Sequence, residues 1–315
     1  MDYILPILLF LVGILCIVKG GDWFVDASSG IARASGIPKF IIGATIVSLA
    51  TTLPELLVSI LAAVEGKTEM AIGNAIGSVS ANTGLILAVS IICVPMIMKR
   101  KQFIFKAILL LITMATLLLF SMNGELGVAG IIVMFLIFGV FVFDNIKEAK
   151  NSGMKEDREV FTKKEWITNI ILFAIGALGI VIGSKLLVDN GSKLATMLGV
   201  PENIIALTML AIGTSLPELV TAIASIVKKE GSLSVGNIIG ANIIDTALIL
   251  PICAVIGGGT LAVSHQVIAL DIPVGIIVAA IIFVPSMFTQ KFSRFQGVAA
   301  ICVYVGYIVK ICFFA

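Results

Sequence analysis

The sequence predicts an all-α membrane protein of ten transmembrane helices, arranged as two inverted five-helix repeats. Three observations support this prediction. Of the 315 residues, 59% are hydrophobic and 13% charged, and the mean hydropathy is +1.16, which excludes a soluble globule with an ordinary polar surface. Ten apolar segments are long enough to cross a bilayer. One stretch also occurs twice, since Glu55 and Glu218 stand in matching sequences 163 residues apart.

Each half of the chain supplies five of the predicted spans, and each span contains about 20 apolar residues. The predicted spans are 4–33, 38–64, 70–97, 104–121, 126–144, 166–196, 201–227, 233–257, 267–285 and 295–313. The first segment has neither a preceding basic region nor a small-residue cleavage site, so we interpret it as a permanent span rather than a signal peptide. The chain therefore divides into a first five-helix repeat at 1–146, a linker at 147–165 and a second five-helix repeat at 166–315.

The distribution of basic residues predicts the orientation. If the ten spans alternate sides, the loops on one side hold 16 Lys and Arg residues and those on the other side hold three. The positive-inside rule then predicts a multi-pass protein of the cell membrane with both termini outside and the 147–165 loop in the cytoplasm. Five is an odd number, so the second repeat enters the membrane upside down relative to the first. The loop is either a solvated linker or a regulatory, partner-binding segment.

The duplicated stretch interrupts its own helices. Between Gly43 and Leu87, 16 of 45 positions are identical to the residues 163 positions later. Proline lacks an amide hydrogen and crowds the carbonyl four residues before it, so Pro54 and Pro217 leave backbone oxygens unpaired. Transporters built from inverted repeats hold their substrate at such interruptions, near the membrane midplane. The glycines that we expect to let the facing helices approach closely are Gly73, Gly77, Gly236 and Gly240.

The polar residues around the interruptions are hard oxygen ligands. A carboxylate near the bilayer centre is costly, so Glu55 and Glu218 indicate function rather than buried, protonated links between helices. The candidate ligands stand at helical spacing and, except for Ser78, have a polar counterpart in the other copy: Thr51, Thr52, Glu55, Ser78, Asn82, Thr214, Ser215, Glu218 and Asp245. The hydroxyl groups have an alternative role, because such groups often bond the preceding helical turn.

Such a set suits calcium, which accepts six to eight oxygen ligands in irregular geometry. Soft metals are disfavoured, since no His or Cys matches the set. Sodium also takes oxygen ligands, so several sodium ions could replace one calcium ion at a shared site.

These residues resemble the two repeats of the cation/calcium antiporter superfamily, specifically its sodium/calcium exchanger branch of prokaryotic type. The resemblance rests on residues 51–55 with 73–82 and on residues 213–218 with 236–245. It implies a secondary active antiporter that exchanges calcium for sodium by alternating access, with spans 1 and 6 sliding across the other eight. It also implies that backbone oxygens of Ser48 and Ala211 join the site. The Leu-Pro before each glutamate departs from the proton-coupled pattern and favours sodium.

Two departures qualify what the resemblance implies. Ala241 stands where the second repeat commonly has serine, so a sodium site on that side is expected to be weaker or absent. Asp245 faces Asn82, an asymmetry found in potassium-dependent and in some potassium-independent relatives. A proton-coupled or potassium-dependent calcium antiporter therefore stays open as an alternative. The expected transported ions are Ca²⁺ and Na⁺, with K⁺ as a third candidate. The expected partner is the lipid bilayer, with no cofactor and no nucleic acid.

Two other functions fit less well. A cation channel needs a continuous path and usually a ring of subunits, whereas an inverted repeat around one enclosed site suits alternation. An enzyme is not expected, since the sequence has one histidine and no Gly-x-Ser-x-Gly turn. Spans 1 and 6 carry charged residues that we expect to form ion pairs or to reach the interface, rather than to guide ions: Lys19, Asp22, Asp26, Lys185 and Asp189.

Overall fold

The computed structural model describes residues 3–94, 100–152, 159–198 and 213–314. The predicted helical class is confirmed in these ranges, where eight helices are long and apolar enough to cross a membrane. A ninth span is formed if two helices joined at a bend of 47°, Lys39–Thr51 and Leu53–Val64, are counted as one. The predicted seventh span is described only in part, because residues 201–212 lie outside the described ranges.

The elements follow one another in two similar series. The first series is α1 (Ile4–Ser35), α2 (Lys39–Ile42), π1 (Gly43–Val47), α3 (Ser48–Thr51), α4 (Leu53–Val64), α5 (Thr68–Ala81), π2 (Asn82–Leu87), α6 (Ala88–Cys93), α7 (Arg100–Ser121), β1 (Glu125–Leu126) and α8 (Val128–Ser152). The second series is α9 (Lys163–Met197), α10 (Leu216–Val227), α11 (Gly231–Ile244), π3 (Asp245–Ile249), α12 (Leu250–Ile256), β2 (Leu261–Ala262), π4 (Val267–Asp271), α13 (Ile272–Thr289) and α14 (Arg294–Phe314).

The duplication extends to the boundaries of the helices. Helices α4 and α10 begin and end on residues 163 positions apart, and so do α5 and α11. The π-helical segments π2 and π3, which the sequence did not predict, begin at the equivalent residues Asn82 and Asp245. Since the same residues begin the same elements, the repeated sequence specifies a repeated local structure.

The longest helices, α1 and α9, pack against each other as an antiparallel pair. A Cβ atom at Gly13 would lie 2.9 Å from the Gly183 carbonyl oxygen, and one at Gly20 would lie 2.9 Å from the Gly176 carbonyl oxygen. Small residues therefore let the two backbones touch over several turns. Both helices lie at the periphery, because only 28% and 22% of their span windows are buried.

Helices α5 and α11 form the centre, together with the segments that continue them. In the spans Thr68–Cys93 and Gly231–Ile256, 72% and 83% of the window is buried. A Cβ atom at Gly236 would overlap the Phe40 carbonyl oxygen, and one at Gly240 would lie 2.8 Å from the Ala44 Cα atom. The predicted close approach is thus confirmed at these two glycines. It stays a prediction at Gly73 and Gly77, because segment 203–207, which corresponds to 40–44, lies outside the described residues.

Loops that were predicted to share a side of the membrane contact one another. At one end, Arg33 pairs with Glu159 at 3.1 Å and Lys39 pairs with Glu230 at 2.6 Å. At the other end, strands β1 and β2 form a short antiparallel ladder. Each of these contacts joins two segments that the arrangement of ten alternating spans puts on the same side of the membrane.

Lys106 is one of the 16 basic residues counted with the loops, although it lies at the start of the predicted span 104–121, and the structure places it within the helix. Its side chain is fully buried within α7, where Nζ lies 2.8 Å from the Asp144 carboxylate and 2.7 Å from the Glu148 carboxylate of α8. The ammonium group also lies 5.7 Å from the centre of the Phe40 ring. The sequence places the three charges 38 and 42 residues apart, so their pairing becomes visible only once α7 and α8 are antiparallel neighbours.

Candidate ion-binding site

Two equivalent helix breaks position the two glutamates. Thr52 (φ −84°, ψ 1°) separates α3 from α4, and Ser215 (φ −83°, ψ 3°) precedes α10 in the same conformation. A proline follows in the first turn of each helix, where a missing amide hydrogen costs nothing. Glu55 and Glu218 also lie in these first turns, where the positive end of the helix dipole favours a carboxylate.

The acidic side chains of the site are buried, and most of their oxygens have no hydrogen-bond partner. The residues Glu55, Asn82, Glu218 and Asp245 are each at most 1% exposed. The unpartnered acceptor atoms are both Glu55 oxygens, both Asp245 oxygens, Glu218 Oε2 and Asn82 Oδ1. Burying an acceptor without a donor is costly, and burying an ionised one is far more so. A bound cation removes this cost, so these six oxygens fit a cation site.

The three carboxylates also influence one another. Glu55 interacts electrostatically with Glu218 and Asp245, and Asp245 interacts with Glu218. Like charges in a low-dielectric interior repel unless a cation neutralises them. Within the described ranges, however, no three His, Cys, Asp or Glu side chains form a compact metal-binding cluster. Hydroxyl and amide oxygens are therefore needed to complete a cation shell.

Two equivalent hydrogen bonds connect the two copies. Thr51 Oγ1 donates to Asn237 Oδ1 at 3.2 Å, and Thr214 Oγ1 donates to Asn74 Oδ1 at 3.3 Å. Both pairs join residues of different copies, and the two bonds coincide when 163 is added to each number. The Thr214 side chain also lies near the Glu55 carboxylate, outside hydrogen-bond geometry. In each copy, the threonine next to the helix break is thus hydrogen-bonded to the central helix, α11 or α5, of the other copy.

The next pair of hydroxyls does not follow this symmetry. Ser215 Oγ donates to Ser78 Oγ at 3.4 Å. Its counterpart Thr52 faces the copy in which Ala241 replaces serine, and it donates to Glu218 Oε1 at 3.3 Å instead. The two copies differ here at two positions, Thr52 against Ser215 and Ser78 against Ala241, and the two glutamates differ as well, since Glu218 has a hydroxyl donor and Glu55 has none among the described residues.

The π-helical segments present the remaining polar residues. Asn82 Nδ2 donates to Asn242 Oδ1 at 3.1 Å, and Asn242 Nδ2 donates to Thr83 Oγ1 at 2.7 Å. This chain uses the amide hydrogens of Asn82 and leaves its Oδ1 atom as an acceptor. Single π-helical turns inside α-helices are frequent at functional sites, since they turn side chains away from the regular helical face.

The structure describes ten of the eleven residues that were expected to hold the ion, and all ten except Thr214 are buried. The described members are Ser48, Thr51, Thr52, Glu55, Ser78, Asn82, Thr214, Ser215, Glu218 and Asp245. Ala211 lies outside the described residues. The Ser48 carbonyl accepts from Thr52 N at 2.9 Å, and it is an alternative acceptor, at 3.3 Å, for the single hydroxyl hydrogen of Thr51 that also reaches Asn237 Oδ1.

Sequence reasoning did not assign Asn74, Asn237 and Asn242 to the site. The first two had a usable signal, because an identical polar residue recurs at offset 163 within an apolar span. The signal for Asn242 was weaker, because its counterpart is Val79. Only the presence of a polar residue in an apolar span indicated Asn242.

Comparison with known proteins shows the family of the chain. The family model described as "Sodium/calcium exchanger protein" matches residues 5–147 and 168–313, which are nearly all of both halves. An uncharacterized membrane protein of Methanocaldococcus jannaschii is 31% identical over 303 residues, covering 94% of each chain. The sodium/calcium exchanger MaX1 of Methanosarcina acetivorans is 29% identical, covering 96% of this chain and 97% of its own.

The fold is similar to that of a solved exchanger. The sodium-calcium exchanger NCX_Mj, in crystals soaked with Na⁺ and Sr²⁺, matches 99% of this chain with a TM-score of 0.85 and 28% sequence identity. The match covers 100% of the exchanger chain. The likeness therefore includes both halves of the molecule and the region between them.

Proposed function

This chain belongs to the sodium/calcium exchanger protein family, and we propose that it exchanges Ca²⁺ for Na⁺ by alternating access to one shared site. Members of this family are membrane transporters and not enzymes, and their transported ions are Ca²⁺ and Na⁺. Sodium as the counter-ion, alternating access and the use of a single site for both ions are the parts that we propose for this chain.

The observation that carries the proposal is the group of six buried acceptor oxygens without donors. They come from Glu55 and Glu218 in the first turns of α4 and α10, and from Asn82 and Asp245, which begin π2 and π3. Three carboxylates supply the charge that a divalent ion needs, and neighbouring hydroxyls supply neutral oxygens that suit monovalent ions. Because both ions would use the same carboxylates, binding of sodium and binding of calcium would exclude each other.

The architecture supports access from both sides in turn. We propose ten spans in two inverted five-helix repeats, 1–146 and 166–315, joined by a cytoplasmic loop at 147–165, with both termini outside. The paired helix boundaries at offset 163 and the loop contacts at each end support this arrangement. Peripheral helices α1 and α9, which touch through glycines, are the elements that we expect to slide.

Equilibrium binding of ⁴⁵Ca²⁺ to the purified protein, with sodium as competitor, tests the proposal at the level of the site. We expect one class of calcium site whose occupancy falls as sodium rises, with a steepness that requires more than one sodium ion. Calcium binding that sodium does not reduce would contradict the shared site. Thallium or potassium at equal ionic strength serves as the control for screening.

A further inference from the structure

Two asparagines outside the ligand set each hold the hydroxyl of a threonine within it. A hydroxyl group that ligates a cation must point its hydrogen away from that cation and toward another acceptor. Asn237 Oδ1 is such an acceptor for Thr51, and Asn74 Oδ1 is one for Thr214. Each asparagine belongs to the central helix of the opposite copy, so it reaches the broken helix from across the interface.

Asn74 is itself fixed in orientation. Its Nδ2 atom donates to the Glu55 carbonyl oxygen at 3.2 Å and to Ser59 Oγ at 3.0 Å, which leaves Oδ1 to face Thr214. Asn237 lacks both of these supports: Ala222 stands where the first copy has Ser59, and the Asn237 Nδ2 atom does not reach the Glu218 carbonyl oxygen. Its Nδ2 atom is buried without an acceptor.

On the basis of the proposed function, we infer that Asn74 and Asn237 are positioning residues, which turn the lone pairs of Thr214 and Thr51 toward the transported ion. Their effect is larger on sodium than on calcium, since neutral oxygens make up more of a sodium shell and carboxylates dominate a calcium shell. Thr51 has a second acceptor in the Ser48 carbonyl at 3.3 Å, so its hydrogen is held less strictly by its asparagine.

Double-mutant cycles on sodium competition with ⁴⁵Ca²⁺ binding test this inference. Asn74→Ala alone is expected to raise the sodium concentration needed for half-competition about fivefold, the equivalent of one net hydrogen bond. In a Thr214→Val background the same change should have less than about a twofold effect, because the hydroxyl that it positions is gone. The Asn237→Ala and Thr51→Val cycle is the independent second case if one variant does not fold.

The crossed cycles are the matched control. Asn74 with Thr51, and Asn237 with Thr214, combine the same substitutions without a shared hydrogen bond, so their effects should multiply. Equal coupling in bonded and crossed pairs would overturn the inference, and so would multiplicative effects in both bonded pairs. Loss of calcium binding in the unmutated protein is a different result, which would overturn the proposed function.

A second inference rests on charges far from the site. The connector between α10 and α11 holds Lys228, whose Nζ atom lies 2.9 Å from Asp26 Oδ2 and 3.5 Å from Asp22 Oδ1 of α1. Partial burial lowers the pKa of Lys228, but the two aspartates raise it more, so its pKa is above the ordinary value. This contact ties the sliding helix α1 to the central bundle at one membrane face.

The equivalent connector, between α4 and α5, has the same backbone structure. Glu65 N donates to Leu61 O at 3.0 Å, as Lys228 N donates to Ala224 O at 3.0 Å. The next residue is left-handed in both connectors, with φ 74° at Gly66 and φ 60° at Lys229. The two connectors therefore have the same backbone turn, and the inverted arrangement of the repeats puts them at opposite membrane faces.

Two of the three charges in this contact are inverted between the copies. By the offset of 163, Glu65 corresponds to Lys228 and Lys185 of α9 corresponds to Asp22 of α1, whereas Asp26 corresponds to Asp189 and keeps its sign. Glu65 and Lys185 therefore have the same complementary signs as Lys228 and Asp22, with the roles of acid and base exchanged. Among the described residues, Lys185 forms no salt bridge, and Glu65 pairs with Lys67 of its own connector at 2.7 Å. One pair of the two is thus formed in this conformation and the other is not.

We propose that Glu65 and Lys185 form, in the opposite conformation of the transporter, the ion pair that Lys228 and Asp22 form here. This proposal rests on alternating access. Each ion pair, which we call a latch, would stabilise one end state of the transporter. Sliding of α1 and α9 would break one ion pair and form the other. Duplication alone would have kept equal charges, whereas the joint change of sign at Asp22/Lys185 and at Lys228/Glu65 keeps one complementary pair in each copy.

Spin-label distances in a cysteine-free background test the proposal without requiring transport. Labels at Val18→Cys of α1 and Val227→Cys of α10, both exposed, report the separation of the sliding helix and the bundle. Glu65→Gln and Lys185→Gln are each expected to enrich the conformation seen here, by about two- to fivefold in the population ratio, the range for one exposed ion pair. Asp22→Asn with Asp26→Asn should deplete it.

Two further variants make the test specific. The double reversal Glu65→Lys with Lys185→Glu should restore the original ratio, and Glu69→Gln, which removes an exposed acid next to the same connector, should leave it unchanged. If Glu65→Gln behaves like Glu69→Gln, or if the reversal fails to restore the ratio, the proposed latch does not exist.

Discussion

Thr52 of the first copy donates its hydroxyl hydrogen to Glu218 Oε1 of the second copy, at 3.3 Å. The equivalent hydroxyl, on Ser215, donates to Ser78 instead. Thr52 and Ser215 have the same backbone conformation and different partners, and Ala241 offers no side-chain oxygen at the position equivalent to Ser78. The site is therefore asymmetric in its hydrogen bonds although its backbone repeats, and this asymmetry leads to the first prediction.

Ala241→Ser should lower the sodium concentration that competes with calcium by about three- to fivefold, the effect of one new contact. The added hydroxyl would accept from Thr52, as Ser78 accepts from Ser215, and would free Glu218 Oε1 for the ion. Sodium competition with ⁴⁵Ca²⁺ binding measures the change, and Ser78→Ala should shift the curve in the opposite direction. An unchanged curve in both variants would show that this pair of positions does not affect a sodium site.

Glu55→Gln and Glu218→Gln should each weaken calcium binding at least about tenfold, while the protein remains folded. Each change removes a charge from the three-carboxylate group and keeps the side-chain volume. Binding of ⁴⁵Ca²⁺ to the purified variants measures the loss, and Glu69→Gln, an exposed acid, is the matched control. Near-normal calcium affinity in either site variant would refute the assignment of that glutamate.

Ala222→Ser should raise the thermal stability of the protein in detergent. The new hydroxyl would accept from Asn237 Nδ2, which is buried without a partner, as Ser59 accepts from Asn74 Nδ2. Hydrogen bonds between membrane helices contribute about 0.6 kcal/mol on average, and we expect a gain of about that size. The reverse change, Ser59→Ala, should lower stability by a similar amount. A gain in both variants, or in neither, would contradict the assigned bonds.

Lys106→Met should destabilise the protein by about 3 kcal/mol, because it leaves Asp144 and Glu148 facing each other without their common cation. Neutralising both acids as well, with Asp144→Asn and Glu148→Gln, should recover most of the loss. Thermal unfolding of the three proteins in the same detergent measures this. For comparison, removing the more exposed Lys39 partner of Glu230 should cost less than about 1 kcal/mol. Equal losses of stability on removing Lys106 and Lys39 would show that burial does not determine how much these ion pairs stabilise the protein.

The parts of the fold that the sequence predicted are those set by local chemistry. Pro54 cannot donate a backbone hydrogen bond, so the break before Glu55 follows from one residue type. Hydropathy locates spans for the same reason, since each segment meets lipid by itself. The repeat then transfers the same conclusion to Pro217 and Glu218, as the matching ends of α4 and α10 show.

The parts that escaped prediction depend on contacts between distant segments. Whether a hydroxyl bonds its own helix or another one is decided by what faces it, so Thr52 and Ser215 could not be distinguished beforehand. Asn242 has no polar counterpart, and its role depends on the turn that π2 gives to Asn82. Lys106 looked like a loop residue because its two acidic partners lie on a different helix.

Counterflow in reconstituted vesicles tests the central claim most directly. Vesicles loaded with sodium, potassium or protons are diluted into medium that contains ⁴⁵Ca²⁺ and lacks the loaded ion. We expect calcium accumulation driven by the outward sodium gradient, and none driven by potassium or proton gradients at constant sodium. Accumulation that follows the proton gradient, or calcium equilibration that needs no ion on the opposite side, would contradict sodium–calcium exchange at a shared site.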